Sequence, residues 1–467
     1  MDPDVVVVGG GAAGLSAATT VAAAGSSVVL VSEGPLGGDC TWHGCVPTKA
    51  LLEAAAAGLD AAGALEHAAR CVTRLARLES AAVLEAAGVV VRSARVVVRQ
   101  GPTGPVVDAV AGGGGDAVPA GGWSPRLGVV LATGSRPVTT VPGVPPLGDL
   151  PAGARVATTD GWQDALAAHL ASAGPDGGPG SGRRIGPRVP GPVVVVGGGA
   201  SGVELAQALA RLGLPVTLLE RAATVLPGLP GAGDAVAAAL ALDGVRVVVD
   251  ADETDVRGAV GPGTLVLLAA GRVPAVDCLS GWDGPPVTGP AGVVVDAAMR
   301  TAAPGLVAAG DVTGLLPTTH VAAATGRVAA ATLLGRTASF DARWAPRVAW
   351  CEPGVAAVGD LDGPRHVRVP LSRVDRAVLA AVPGSPRRPT AGSVQVWADE
   401  DGRLRGALAV CPRAGDIVSE AALAGRLGLT VEQWAGGAAG VGVTSADHAY
   451  PSWSWAWREA LDRLLGR

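Results

Sequence analysis

The sequence predicts an α/β fold built from two separate βαβ units and a C-terminal α+β segment. Three observations carry this. Gly9-Gly10-Gly11-Ala12-Ala13-Gly14 and Gly197-Gly198-Gly199-Ala200-Ser201-Gly202 each spell G-x-G-x-x-G between an all-apolar strand and a helix pattern. The second strand of each unit ends on an acid, Glu33 or Glu220. From about Asp341 the pattern changes to alternating strands and two helices.

Composition bounds the rest. A chain of 467 residues suggests two to four domains. Apolar residues make up 49%, so a large core can form, but no uninterrupted apolar run reaches the roughly 18 residues a membrane-spanning helix needs. The start, MDPDVVVVGGG, enters a strand at once, without a basic region or cleavage site, so a secretory leader is not expected and the reading is cytoplasmic. Net charge is −5 with no basic patch, which leaves nucleic-acid binding without support. Six cysteines in a chain this long do not make a disulfide framework; a close pair reads as redox-active or metal-binding.

In the first unit the elements are a strand over Asp4–Val8, a helix through about Ala24 and a strand over Ser27–Val31. Gly9, Gly11 and Gly14 allow a tight turn, approach of backbone to a pyrophosphate, and close helix–strand packing. The helix start directs free N–H groups at phosphate, and Glu33 is placed to accept from a ribose hydroxyl. This is a Rossmann-like dinucleotide-binding unit.

Directly after Glu33 comes Gly37–Leu51, GGDCTWHGCVPTKAL. Cys40 and Cys45 flank four residues, Pro47 follows, and Lys49 is the only lysine among 36 Lys+Arg. In a chain that writes its other cations as arginine, a lone lysine points to a site that wants a compact ammonium. The plainer reading is two buried structural cysteines and a chance lysine.

This segment resembles the redox-disulfide segment of the pyridine nucleotide–disulfide oxidoreductases of the lipoamide dehydrogenase, glutathione reductase and mercuric reductase type. The resemblance implies FAD beside a Cys40–Cys45 disulfide, with Cys40 exchanging with substrate, Cys45 facing the flavin and Lys49 near flavin N5. A dithiol under a flavin can take two electrons and pass them to a substrate disulfide or soft metal. A helix start after Pro47 would lower the thiol pKa.

The middle of the chain follows in order. Leu51–Ala87 reads as one or two long helices, Gly88–Arg99 as strand, and Gly101–Gly122 as a hairpin with a variable tip. Gly128–Pro137 resembles the family's ATG motif, closing over FAD with Thr133 and Gly134. Gly174–Pro192, rich in Gly and Pro, reads as a flexible insertion near a domain boundary. The second βαβ unit is Val193–Val196, the turn carrying Gly197, Gly199 and Gly202, a helix through Leu212, and Val216–Leu219. Two units imply two dinucleotides, FAD in the first and a nicotinamide cofactor in the second. Glu220 stands where a 2′-phosphate would sit and favours NADH over NADPH; Arg221 beside it argues the other way. The resemblance pairs Glu204 with Lys49 near the nicotinamide; a helix-dipole glutamate is the plainer alternative. Val266–Pro274 resembles the second glycine turn, with Gly271, and Val293–Asp311 the return into the FAD domain. There Gly310 and Asp311 would hold the ribityl chain. Thr319 opens the helix under the isoalloxazine, and His320 reads as orienting that helix.

The C-terminal segment resembles the family's dimerisation domain, which lends a loop to the partner's disulfide, so a homodimer is implied. The domains are then 1–150 and 273–340 for FAD, 151–272 for NAD(P), and 341–467 for the interface. Relatives carry His directly before the loop's proline and Glu five residues after that His. Within Asp447–Trp455 this chain has Tyr450 and Trp455 at those places, so the usual imidazole–carboxylate base is absent. A phenol with pKa near 10 is a poor base at neutral pH. Tyr450 can still donate a hydrogen bond or shield a thiolate, and His448 is a candidate for a substitute base. Tyrosine at this place resembles the mercuric reductase branch, but an N-terminal C-x-x-C metal-binding domain and a C-terminal cysteine pair are missing. Cys71, Cys278, Cys351 and Cys411 read as buried small residues.

The expectation is an FAD-dependent NAD(P)H oxidoreductase. Hydride from a nicotinamide bound over Gly197–Gly202 would reach the flavin, then the disulfide through Cys45, then a disulfide or soft-metal acceptor through Cys40. The alternatives are dihydrolipoamide dehydrogenase activity, a quinone or diaphorase-type reductase with a vestigial disulfide, and a non-catalytic redox or nucleotide sensor.

Overall fold

A computed structural model of the chain describes residues 2–110, 122–172, 190–282, 287–383, 391–436 and 448–467. The tip expected within 101–122, most of the 174–192 insertion and Asp447 lie outside the described residues.

The first unit runs β1 (Val5–Val8), α1 (Ala12–Ala23), β2 (Val28–Ser32), α2 (Gly38–Trp42), α3 (Cys45–Ala56), α4 (Ala61–Ala76), α5 (Ala81–Ala86), β3 (Val89–Ser93), β4 (Val96–Gln100), β5 (Pro105–Ala109), β6 (Gly128–Leu131) and β7 (Ser135–Pro137). β1 is four valines, buried on both faces as a central parallel strand should be. It pairs with β2 through Val5↔Val28 and with β6 through Val5↔Gly128.

Leu51–Ala87 is three helices rather than one or two. Gly58 takes φ +79° after α3, the Asp60 carboxylate caps α4 by accepting from Gly63 N at 2.8 Å, and the extended Ser80 starts α5 afresh. Gly88–Arg99 is two strands: β3 extends the parallel sheet beside β2, while β4 turns away to pair antiparallel with β5 around Gly101–Gly104.

The second unit runs β8 (Arg155–Thr158), α6 (Trp162–Ala171), β9 (Val193–Val196), α7 (Ala200–Arg211), β10 (Val216–Leu219), α8 (Gly233–Leu242), β11 (Arg246–Val248), α9 (Glu253–Ala259), β12 (Leu265–Leu268) and β13 (Arg272–Pro274). Its parallel sheet has the order β11-β10-β9-β12-β8. The chain then returns through β14 (Thr288–Gly289), β15 (Gly292–Val293), β16 (Leu306–Ala308) and α10 (Thr319–Leu333). β16 completes the first sheet in the order β16-β6-β1-β2-β3. α10 packs backbone to backbone on α1: a Cβ on Gly326 would stand 2.2 Å from Ala13 O.

The last part is β17 (Arg347–Ala349), β18 (Gly354–Gly359), β19 (Arg365–Pro370), α11 (Asp375–Ala380), β20 (Ser393–Ala398), β21 (Leu404–Cys411), α12 (Ala414–Arg426), α13 (Val431–Trp434) and α14 (Trp455–Leu464). Its sheet is antiparallel, β17-β18-β21-β20-β19. Among the described residues it carries four α-helices where the sequence pattern shows two, because α11 and α13 are too short for a periodic signal.

One apolar core joins the parts. Leu51, Leu52 and Ala54 of α3 pack with Trp162, Leu205 and Leu209 and with Ala349, Cys351 and Val410. Leu51 and Trp162 are fully buried, and each such side chain contributes about 2 kcal/mol through loss of apolar contact with water. The helix that begins at Cys45 is thereby fixed against the second βαβ unit.

Candidate active site

Both glycine turns have the geometry a phosphate site needs. Gly9 takes φ +113° and a Cβ there would stand 2.1 Å from Ala132 O; a Cβ on Gly14 would stand 1.8 Å from Gly9 O. The second turn repeats this: Gly197 takes φ +110°, and a Cβ on Gly202 would stand 1.8 Å from Gly197 O. Side chains are therefore excluded where backbone N–H groups must approach an anion. Gly11 opens α1 and Gly199 opens α7, neither with a side-chain cap, so the first N–H groups of both helices stay free for a ligand. These turns and the acids beyond them fit two dinucleotides.

The two acids differ. Glu33 is exposed and lies 3.9 Å from Arg95 Nε. Glu220 folds back onto its turn and accepts from Gly198 N at 2.5 Å and Ala222 N at 2.7 Å. Arg221 is exposed.

Cys40 lies in α2 and Cys45 is the first residue of α3, so the helix begins at the thiol itself and Pro47 sits in its first turn. The expected start after Pro47 is thus corrected. Proline tolerates this place because its missing N–H has no partner there anyway. Both thiols are free and half-buried. A hydrogen bond from Cys40 pulls the Cys45 pKa down to about 6, helped by the Lys49 ammonium and Thr319 and opposed by burial. The same bond, with burial, drives Cys40 upward. The pair is therefore polarised, Cys45 as thiolate and Cys40 as thiol. Cys45 Sγ lies 3.4 Å from Thr319 Oγ1 at the start of α10.

The loop holding the thiols is fastened from several sides. Trp162 Nε1 donates to His43 O at 2.9 Å and Gln163 Nε2 to Trp42 O at 2.8 Å, both from α6. Thr41 Oγ1 donates to Glu79 Oε2 at 2.7 Å. Lys49 Nζ lies 2.5 Å from Glu204 Oε2 of α7, and the other Glu204 oxygen accepts from Trp350 N at 2.8 Å. Glu204 is 1% exposed, so neither oxygen faces water.

Arg272, at the start of β13, is a hub to which no sequence motif points. Its Nε donates to Ser135 Oγ at 2.8 Å and Nη2 to Ser135 O at 2.9 Å. Nη1 donates to Asp160 at 3.0 Å and Thr159 at 3.2 Å and lies 3.3 Å from Asp39 Oδ2. Ser135 Oγ donates onward to Asp311 at 2.9 Å. Burial pushes Asp311 up, and burial together with the neighbouring carboxylates pushes Asp39 up to about 7 against the pull of Arg272.

Thr133 Oγ1 donates to Ala275 O at 2.6 Å, while Gly134 and Gly271 take φ +73° and +109° with open space where a Cβ would be. Gly310 N donates to Thr325 Oγ1 at 3.0 Å. His320 Nε2 lies 2.8 Å from Pro346 O, which ties α10 to the segment before β17.

The C-terminal loop supplies a partner that sequence spacing missed. His448 Nε2 lies 2.8 Å from Glu420 Oε2 on α12, and Trp434 Nε1 donates to the other oxygen at 2.5 Å. The imidazole–carboxylate pair missing from the loop's own spacing is thus formed with a carboxylate from elsewhere. Tyr450 is exposed, donates to Asp375 Oδ2 at 2.9 Å and meets Trp455 edge-on. The Asp375 carboxylate raises the phenol pKa further. Among the described contacts of Cys40 and Cys45 within the chain, neither Tyr450 nor His448 takes part.

Of the other cysteines, Cys351 and Cys411 are buried, and burial pushes Cys411 up to about 12. Cys71 and Cys278 are only half-buried, against expectation. Cys71 lies on α4 with its sulfur 3.6 Å from His67, and Cys278 borders the exposed Asp277. No group of three or more metal-ligating side chains and no helix long and apolar enough to cross a membrane occurs among the described residues.

Residues 3–326 match the family described as pyridine nucleotide-disulphide oxidoreductase. The mercuric reductase of Acidithiobacillus ferrooxidans is 34% identical over 262 residues, covering 53% of this chain and 48% of that protein. The chain thus spans about half the length of the mercuric reductases it matches. Dihydrolipoyl dehydrogenase 2 of Haloarcula marismortui is 29% identical over 485 residues, covering 94% of this chain and 91% of that protein. The solved structure of LpdA from Mycobacterium tuberculosis superposes with a TM-score of 0.75 at 25% identity, covering 98% of this chain and 99% of that one.

Proposed function

Since this chain belongs to the pyridine nucleotide-disulphide oxidoreductase family, we propose that it is an FAD-dependent NAD(P)H oxidoreductase whose Cys40–Cys45 pair passes electrons to a disulfide or soft-metal acceptor. The observation that carries this is the polarised thiol pair at the start of α3, with Cys45 held as thiolate by Cys40, Lys49 and Thr319.

FAD, when bound, supplies the two-electron exchange between a nicotinamide and the thiol pair. Gly9, Gly11 and Gly14 would hold its pyrophosphate, Glu33 its adenosine ribose, and Thr133, Gly134, Gly310, Asp311 and Thr319 its flavin half. Gly197, Gly199 and Gly202 would hold the nicotinamide cofactor, with Gly271 at the edge of that domain. Glu220 supports NADH: held against Gly198 N, its carboxylate repels a 2′-phosphate. Lys49 and Glu204 would stand between the two cofactors.

With a disulfide acceptor the chemistry at the thiols balances by exchange. Cys40, deprotonated, attacks one acceptor sulfur and forms a mixed disulfide, and the other acceptor sulfur leaves as a thiol. The Cys45 thiolate then attacks Cys40 sulfur, closing the Cys40–Cys45 disulfide and releasing the second acceptor thiol. The thiol–thiolate pair loses two electrons and the one proton of Cys40; the acceptor gains both electrons and that proton, and its second sulfur takes a proton from an acid outside the pair or from water. Both leaving sulfurs need a proton, and the His448–Glu420 pair favours a disulfide acceptor for that reason. In a homodimer it would serve the partner's thiols, with Tyr450 as a hydrogen-bond donor. A soft-metal acceptor needs no such proton, and the likeness to mercuric reductases supports it as the second reading.

Anaerobic titration of the FAD-loaded protein with NADH, followed by an acceptor panel with NADH and NADPH, tests this. A long-wavelength thiolate–flavin absorbance, lost in Cys45→Ser, is expected. Unchanged quinone turnover by a Cys40→Ala/Cys45→Ala variant would favour a quinone or diaphorase reductase. Bound FAD without turnover of any acceptor would favour a sensor.

A further inference from the structure

Asp39 stands directly before Cys40 in α2, and its Oδ1 is buried with no hydrogen-bond donor in reach. A buried oxygen without a donor costs about 1–3 kcal/mol unless something supplies a proton. Its Oδ2 and the Asp160 carboxylate converge on the same nitrogen, Arg272 Nη1, at 3.3 and 3.0 Å. Two carboxylates on one guanidinium nitrogen are close neighbours. The groups facing Asp39 are Arg272 on β13, Asp160 beyond β8 and Asp311 beyond β16; with Asp39 itself that is three carboxylates against one cation. Like charges so placed do not all ionise; one proton stays with the pair.

We propose that Asp39 and Asp160 share one proton across the boundary between the Cys40 loop and the second nucleotide unit, and that this pair, closed on Arg272, is a latch that positions the thiols. The side chains of Asp39 and Asp160 lie within hydrogen-bonding reach of each other, so one proton can bridge them. Arg272 carries the latch onward through Ser135 to Asp311, so the loop, the β7–β13 crossing and the flavin-side carboxylate form one hydrogen-bonded chain. Loss of the proton leaves two carboxylates repelling each other across a domain boundary and loosens the Cys40 loop at that side. Asp39, Asp160 and Arg272 are positioning residues; they act through the loop.

The positioning role rests on the thiol-to-flavin reading above, whereas the proton sharing does not. The test therefore has two readouts on the FAD-loaded full chain, wild type, Asp39→Asn and Asp160→Asn, between pH 5 and 9. The first is urea unfolding. The pair holds a proton that an unfolded aspartate sheds near pH 4, so wild-type stability falls as pH rises from about 4 to about 7 and then levels. The linked change is at most about tenfold in the unfolding constant per pH unit. Either amide donates to the remaining carboxylate at every pH, so both variants lose this step. The second readout is the thiolate–flavin absorbance after reduction with NADH. In wild type it rises through about pH 6 as Cys45 ionises and declines above 7; in both variants it rises and stays level. A wild-type unfolding profile without the step, or a step retained by both variants, overturns the proposal, and the wild-type profile decides it even where a variant fails to fold. Absence of the absorbance in all three proteins overturns the thiol-to-flavin reading and the positioning role with it, leaving the proton sharing to the unfolding profiles.

Discussion

The Lys49 ammonium lies 2.5 Å from Glu204 Oε2, and this ion pair joins the helix bearing the thiols to the helix of the second nucleotide turn. The carboxylate end is sealed from water and the ammonium end is about a third open. Its other oxygen accepts from Trp350 N, so one carboxylate touches all three parts of the chain.

Lys49→Met leaves the Glu204 carboxylate buried without its cation. Removal of one member of a buried pair costs about 3 kcal/mol or more, and urea unfolding will show a loss of that order. Lys49→Arg will recover only part of it, because a planar guanidinium does not fit a site closed around an ammonium. Full stability in Lys49→Met would mean that the pair contributes nothing.

In the reduced protein, alkylation by iodoacetamide with peptide mapping will modify Cys45 with a midpoint near pH 6, well below its ordinary range, and Cys40 only at much higher pH. A depressed thiol pKa stabilises the folded dithiol above about pH 9, where an unfolded cysteine is also ionised, and that contribution is lost as pH falls through 6. Lys49→Met moves the Cys45 midpoint upward. Equal midpoints for the two thiols would refute the polarised pair.

On the proposed NADH reading, Glu220→Ala removes the carboxylate that covers Gly198 N and would repel a 2′-phosphate. We expect KM for NADH to rise about tenfold, a loss of about 1.4 kcal/mol of binding, and the preference over NADPH to narrow. Steady-state kinetics with both nucleotides check this; an unchanged ratio removes Glu220 from specificity.

With a disulfide acceptor, His448→Gln and Glu420→Gln will lower kcat by about 10² or more, as loss of a general acid–base group does. Both will abolish the same limb of the pH–rate profile. Tyr450→Phe, whose hydroxyl is engaged with Asp375, will change kcat less than fivefold on the same scale. The reverse ranking would make the phenol the working group.

Local signals were legible because they depend on neighbours in sequence. The valine strands, the glycine spacing of both turns and the order of elements around Cys40 and Cys45 follow from backbone sterics over a few residues. Helix boundaries were less legible: the breaks at Gly58 and Ser80 fall within an Ala/Leu-rich run that keeps its composition throughout. Asp39 and Arg272 gave no signal at all, since neither belongs to a spacing pattern that implies the other.

Two glycine turns of dinucleotide-binding spacing, one close thiol pair and a C-terminal loop without the usual base are legible in the chain as written. Those are properties of residue type and interval. Where the other charges meet is a matter of the tertiary structure. The resemblance pairs Lys49 with Glu204, 155 residues apart, and the two lie 2.5 Å from each other; no motif joins His448 to Glu420 across 28 residues, or Asp39 to Asp160 on Arg272. Electrostatic energy depends on distance and burial in space, and neither is written in the interval between residues along the chain.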